Sequence, residues 1–163
     1  MRANVIVACK QKPTDGCPWA CNDSQCFIVA LLGRIMPDHE RAMLAYCKLA
    51  ELSQQKRQLP GRDKFLVLAG AAACRAGWPE IAACCRSLIL ANNPAHQISR
   101  FGTFADALRD PGFGSLMKSR QRFCTYERAE HILQELAVDL DPSSDAAAMT
   151  AGEQATSLLS HCS

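Results

Sequence analysis

The chain has 163 residues, 48% of them apolar and only 6% aromatic, enough for one domain with a proper buried core. Its longest apolar run, Cys26 to Gly33, falls far short of the roughly 18 residues a membrane span needs, and no secretory leader is visible, so a cytoplasmic chain with reduced thiols is expected. The net charge of +2 divides into a mildly basic body, with all 18 Lys and Arg against 12 acids in residues 1–137, and an acidic end, with four acids and no base in residues 138–163; that body lacks the concentrated stripe of a nucleic-acid binder, and nucleic acid is not the expected partner.

Alanine and leucine dominate and β-branched residues are sparse, which favours helices. Residues 1–25 contain Pro13, Gly16, Pro18, Asn22 and Asp23 and read as an irregular N-terminal arm, with a short strand possible only from Asn4 to Cys9. A first helix, apolar on nearly every face, is expected over 26–36, ended by Pro37. Asp38 then caps a second helix with Met43, Tyr46, Cys47 and Ala50 as its apolar stripe and Arg41, Lys48, Glu51 and Lys56 on the other side. Leu59-Pro60-Gly61 is expected to close it, and Asp63 to cap a third helix over 64–76. Gly77 ends that helix in the left-handed geometry glycine tolerates. A fourth runs over 79–91, with Pro79 in its first turn and Ile81, Cys84, Cys85 and Leu88 as its stripe.

Beyond Pro94 the elements shorten. Thr103 with Asp106 predicts a cap for a helix over 104–109. Helices are expected over 113–122 and over 126–138, the latter with Ala129, Ile132, Leu133 and Leu136 at helical spacing. Residues 139–163 are polar, acidic and rich in small side chains, and read as a disordered tail in which Leu158 and Leu159 do not suffice for a docking helix. The fold class is therefore all-α, with antiparallel helical hairpins packed as a small bundle across residues 26–138.

The hairpin over 63–94 resembles a tetratricopeptide repeat. Gly70, Ala82 and Pro94 fall on that family's Gly, Ala and Pro, and Gly77 on its inter-helix turn. Leu66, Ala69, Ala73 and Arg86 stand where the family has Trp, Leu, Tyr and Phe, and the pattern does not recur at a shift of 34 residues. The resemblance implies close contact between the two helices through Gly70 and Ala82. The stretches LPGRDKFLVLAG and CTYERAEHIL also resemble parts of uncharacterised bacterial proteins, which implies a helical domain and no particular reaction.

No glycine-rich phosphate loop, nucleophile elbow or metalloprotease helix is present, and no local signature joins a nucleophile to a histidine and an acid. The expected function is that of a non-catalytic module binding another protein without a cofactor. Its candidate binding residues are the basic cluster Lys118, Arg120 and Arg122, with Arg128 beyond it, and Trp78 at the hairpin tip, where exposure would mark a contact surface. The alternative is a zinc- or thiol-dependent protein built on Cys9, Cys17, Cys21 and Cys26, four potential thiolate ligands within 18 residues. Their spacing lacks the paired short knuckles of strong zinc motifs. Cys47, Cys74, Cys84 and Cys85 read as core residues and Cys162 as a tail thiol.

Overall fold

A computed structural model describes residues 39–138 and 149–162. The arm over 1–25, the helix over 26–36 and the four candidate zinc cysteines lie outside the described residues. Those described form seven α-helices and one 3-10 turn, without a strand: α1 (His39–Gln55), α2 (Leu59–Ala76), α3 (Pro79–Asn92), the turn Gln97–Arg100, α4 (Phe104–Arg109), α5 (Pro111–Phe123), α6 (Tyr126–Glu135) and α7 (Ala151–Ser160). The fold is all-α.

The most enclosed element is α1, packed by α2, α6 and α7. Its expected stripe is buried in full, and Ala42, Leu44, Ala45 and Leu49 are buried with it. Helix α1 stops because Arg57 turns left-handed (φ 55°). The Arg57 and Gln58 N–H groups then donate back to the carbonyls of Gln54 and Ser53, both at 2.8 Å, the double closure that usually takes glycine. The next residues correct the sequence reading. Leu59-Pro60-Gly61 does not close α1 but opens α2, with Pro60 in the first turn, where its missing N–H leaves no helical bond unmade. Asp63 accordingly lies inside α2 and is not its cap.

Helices α2 and α3 form the expected hairpin. Gly77 adopts φ 84°, and the Trp78 N–H reaches the Ala73 carbonyl at 2.9 Å. The role of Gly70 is different from the one the resemblance implies. A methyl added there would fall on the ring of Phe104, in α4, rather than on the hairpin's own second helix. Phe104 is held in turn by Phe113, edge to face at 6.2 Å, and Phe101 also meets Phe113 edge to face at 5.9 Å. These rings fasten α4 and α5 to the hairpin. Thr103 caps α4 as expected, accepting from the Asp106 N–H at 3.1 Å, and Asp110 caps α5 in the same way through Phe113. Helix α6 ends earlier than its apolar spacing suggests, because Ala137 turns left-handed (φ 52°) and leaves Leu136 exposed.

The largest correction concerns the acidic end. Part of the segment read as a disordered tail is α7, which packs on α1 and α3. Thr150 and Glu153 close a full capping box, and Ala155, Leu159 and Cys162 are fully buried. Cys162 is thus a core thiol, not a tail thiol. Gly152 sits under the Trp78 indole so closely that any Cβ would overlap it.

Two polar contacts complete the docking of α7. The Arg62 guanidinium, buried between elements, donates from Nη1 to Gln54 Oε1 (3.0 Å) and to the Cys162 carbonyl (3.1 Å). Through Nε and Nη2 it also holds Asp63 Oδ1, at 3.2 and 3.0 Å, and Nη2 reaches the Leu88 carbonyl at 3.4 Å. One cation therefore ties α1, α2, α3 and the segment following α7, near the negative end of the α7 dipole. The second contact is Glu51. It was expected on the polar face of α1, and it is buried there between Lys48 (2.7 Å) and His161 Nδ1 (2.9 Å).

Burial alone would raise the Glu51 carboxyl, but the hydrogen bonds from Lys48 and His161 outweigh it and leave the pKa below the ordinary 4.5. A lowered carboxylate contributes stability that is fully present above its unfolded value and is lost as pH falls through the folded one. Urea midpoints measured from pH 6 down to about 3 should therefore fall less steeply in Glu51→Gln than in the wild type. Parallel curves would refute the role given to Glu51.

Candidate functional site

The structure separates the residues the sequence grouped. Lys118 and Arg122 are both exposed and stand four residues apart on one face of α5. Arg120 lies about 200° round the helix from each of them and turns inward. Arg128, exposed in the first turn of α6, joins neither. Trp78 is remote in role as well: it is half-buried, its Nε1–H donates to Glu40 Oε1 at 3.2 Å, and it roofs Gly152. A cleft of about 540 Å³ runs beside that contact along α7, but Trp78 itself serves the fold as the seat of the helix.

Arg120 enters a polar pocket of about 230 Å³. The start of α2 contributes Asp63 and Lys64, the end of α3 contributes Asn92 and Asn93, and His96 comes from the loop beyond. Local structure fixes most of these groups. Asp63 Oδ1 is taken by Arg62, and Oδ2 accepts from Asn92 at 2.7 Å, so its charge is already answered. His96 Nδ1 accepts from the Ile98 N–H at 3.2 Å, which caps the 3-10 turn and leaves the proton of a neutral ring on Nε2. Burial, and then the nearby Arg120, lower the His96 pKa, with Asp63 opposing. Burial first, and the nearby cation second, therefore favour the neutral imidazole.

Arg120 is the odd member. Its Nε is buried and has no hydrogen-bond partner among the described residues. Beside the pocket, the Lys64 ammonium lies 4.6 Å from the centre of the Phe123 ring. Phe123 remains 40% exposed and packs on Phe65 at 5.6 Å. Arg120, a lysine and an exposed aromatic are therefore grouped at one place on the described residues. Lys64, His96 and Phe123 were not singled out by sequence as one site, because they come from separate elements with no common spacing.

The remaining chemistry is muted. Cys47, Cys85, Cys124 and Cys162 are fully buried, while Cys74 and Cys84 are half-buried. Burial, followed by neighbouring Cys47, pushes the Cys162 thiol up to about 11. A hydrogen bond with Cys47, reinforced by burial, raises Cys85 well above the ordinary thiol. At neutral pH the Cys85 and Cys162 sulfurs stay protonated and are poor nucleophiles. No group of three His, Cys, Asp or Glu side chains able to hold a metal occurs among the described residues. His131 and Glu135, on the exposed face of α6, form only a solvated pair at 3.3 Å. No helix among the described residues is long and apolar enough to cross a membrane.

Compared with protein-family models, curated proteins and solved structures, the chain matches none.

Proposed function

We propose that the protein is a non-catalytic helical module that binds an acidic segment of another protein at the end formed by α2, α5 and the loop after α3. The observation that carries this reading is the Arg120 side chain lining the pocket together with Lys64, beside the exposed Phe123. Arginine and aromatic side chains are the residues that most often dominate binding energy at interfaces. Electrostatic attraction to the basic body adds a salt-dependent contribution.

The test uses the full chain as bait, with the captured partner titrated back onto purified protein. Arg120→Glu should abolish capture. The pair Lys118→Glu and Arg122→Glu, on the other face of α5, should weaken it only through long-range charge and should lose that effect in high salt. A partner that binds Arg120→Glu as tightly as the wild type would overturn the assignment of this face.

A further inference from the structure

The polar pocket is more specific than an acidic segment requires. We propose that it receives a phosphate monoester, carried on a phosphorylated side chain of the partner; this deepens the reading above and rests on it.

Charge supports this assignment. Four charged side chains lie in or directly behind the pocket: Arg62, Asp63, Lys64 and Arg120. The Arg62–Asp63 pair, at 3.0 Å, is internally neutral and is further satisfied by Asn92 and the Cys162 carbonyl. Lys64 and Arg120 remain, giving two positive charges for an incoming group. A carboxylate answers only one of them, whereas a phosphate monoester carries between one and a half and two negative charges near neutral pH.

The donor set agrees. Arg120 lines the pocket with its guanidinium, His96 offers Nε2–H because its Nδ1 is committed to Ile98, and Lys64 lines the same pocket. These donors come from three separate elements, and the three terminal oxygens of a monoester suit such a set better than the two of a carboxylate. A phosphodiester, substituted on both sides, would need a through-groove instead of a pocket. Arg86 provides the internal comparison. Its Nε is likewise buried and unpaired, but its Nη2 is spent on the Phe101 carbonyl at 2.7 Å, and the pocket it lines has no second cation among its described lining residues.

The test is an NMR titration of the full chain with inorganic phosphate, at about pH 7.5, where the anion is mostly doubly charged. Saturable shifts are expected for the Arg120 Nε–H and the His96 ring. The His96 pKa should rise, since the anion adds negative charge to a ring now faced by Lys64 and Asp63 from α2 and Arg120 from α5. Arg120→Gln should weaken binding by at least ~10-fold, and Lys64→Gln should weaken it while keeping the fold intact. Arg120→Lys, which keeps the charge but lacks the guanidinium fork, should recover only part of the affinity. Arg86→Gln should bind like the wild type. Absence of saturable shifts, or unchanged affinity in both Arg120→Gln and Lys64→Gln, overturns the proposal.

Two further ligands separate the sources of the phosphate. A phosphoserine peptide flanked by acidic residues should bind more tightly than glycerol phosphate. Equal affinities would overturn the partner-segment half and leave a small-molecule phosphate site. Partner capture that depends on Arg120 in a protein that ignores phosphate would overturn the phosphate assignment and spare the interaction reading. A response to phosphate without any Arg120-dependent partner would do the reverse.

Discussion

Replacing Arg62 by methionine is expected to cost about 3–5 kcal/mol, the range for breaking a buried ion pair by removing one partner. The side chain is 7% exposed and makes its contacts to four parts of the chain. Methionine matches much of its length and apolar stem, so lost packing is not the main term. What is lost is the answer to Asp63, to the Gln54 amide oxygen and to the carbonyls of Leu88 and Cys162. Asp63 keeps its bond from Asn92 and its side chain is 13% exposed, which holds the loss below that of a fully enclosed carboxylate. Against a typical domain stability of about 5–15 kcal/mol, the change removes a large share. Urea denaturation would measure it, and hydrogen exchange would locate it. The amides of α7 should lose protection first, because Arg62 is one of the few polar ties between that helix and the body. A loss below ~1 kcal/mol, or exchange that rises equally everywhere, would show that apolar contacts alone hold α7.

The second large effect is expected at Gly70. Substituting alanine in a helix normally gains about 1 kcal/mol over glycine. Here the added methyl would lie 2.7–2.8 Å from Phe104 ring carbons, and closer still to a third. Phe104 is 2% exposed and held by Phe113, so it has little room to move. Overpacking of a well-filled core costs about 1–3 kcal/mol. With two buried rings to displace, the upper end applies, and Gly70→Ala should lose ~2 kcal/mol net. Gly70→Val, larger and stiffer in a helix, should lose more. A double-mutant cycle identifies the cause: Phe104→Leu alone should destabilise, but should cost less or nothing in the Gly70→Ala background. Simple additivity would mean that the strain lies elsewhere.

Most of the helical framework could be read from local chemistry. The α2–α3 turn at Gly77, the Pro79 start of α3 and the Thr103 cap of α4 are set by residues within a few positions of each other, and each was visible in sequence. Pro60 misled because a proline next to a glycine looks like a terminator, while proline in a first turn is equally a start. Helix α7 was missed although its signal was present: Thr150 and Glu153 spell a capping box directly before the helix. Small and polar side chains masked it, since its burial depends on a partner surface more than a hundred residues away.

The site was less legible, for a geometric reason. Lys118, Arg120 and Arg122 look like one cluster in a line, but alternate residues of a helix face in nearly opposite directions. What Arg120 meets is decided by tertiary packing, which brings Lys64, Asn92 and His96 to it from elsewhere. Trp78 could be read as a contact residue, and it is one, but its contact is Gly152 of the same chain.

The placement of α7 also bears on how this core is assembled during synthesis. His161 and Glu51, which touch in the folded protein, are 110 residues apart. At about 5–20 residues per second, roughly 5–20 seconds separate their emergence from the ribosome. From the time each is made until α7 follows, the surfaces of α1 and α3 that α7 will cover lack their lid, and the lower side of Trp78 has no Gly152 beneath it. Thiols such as Cys47 and Cys85, sealed in the finished protein, are more accessible until α7 arrives.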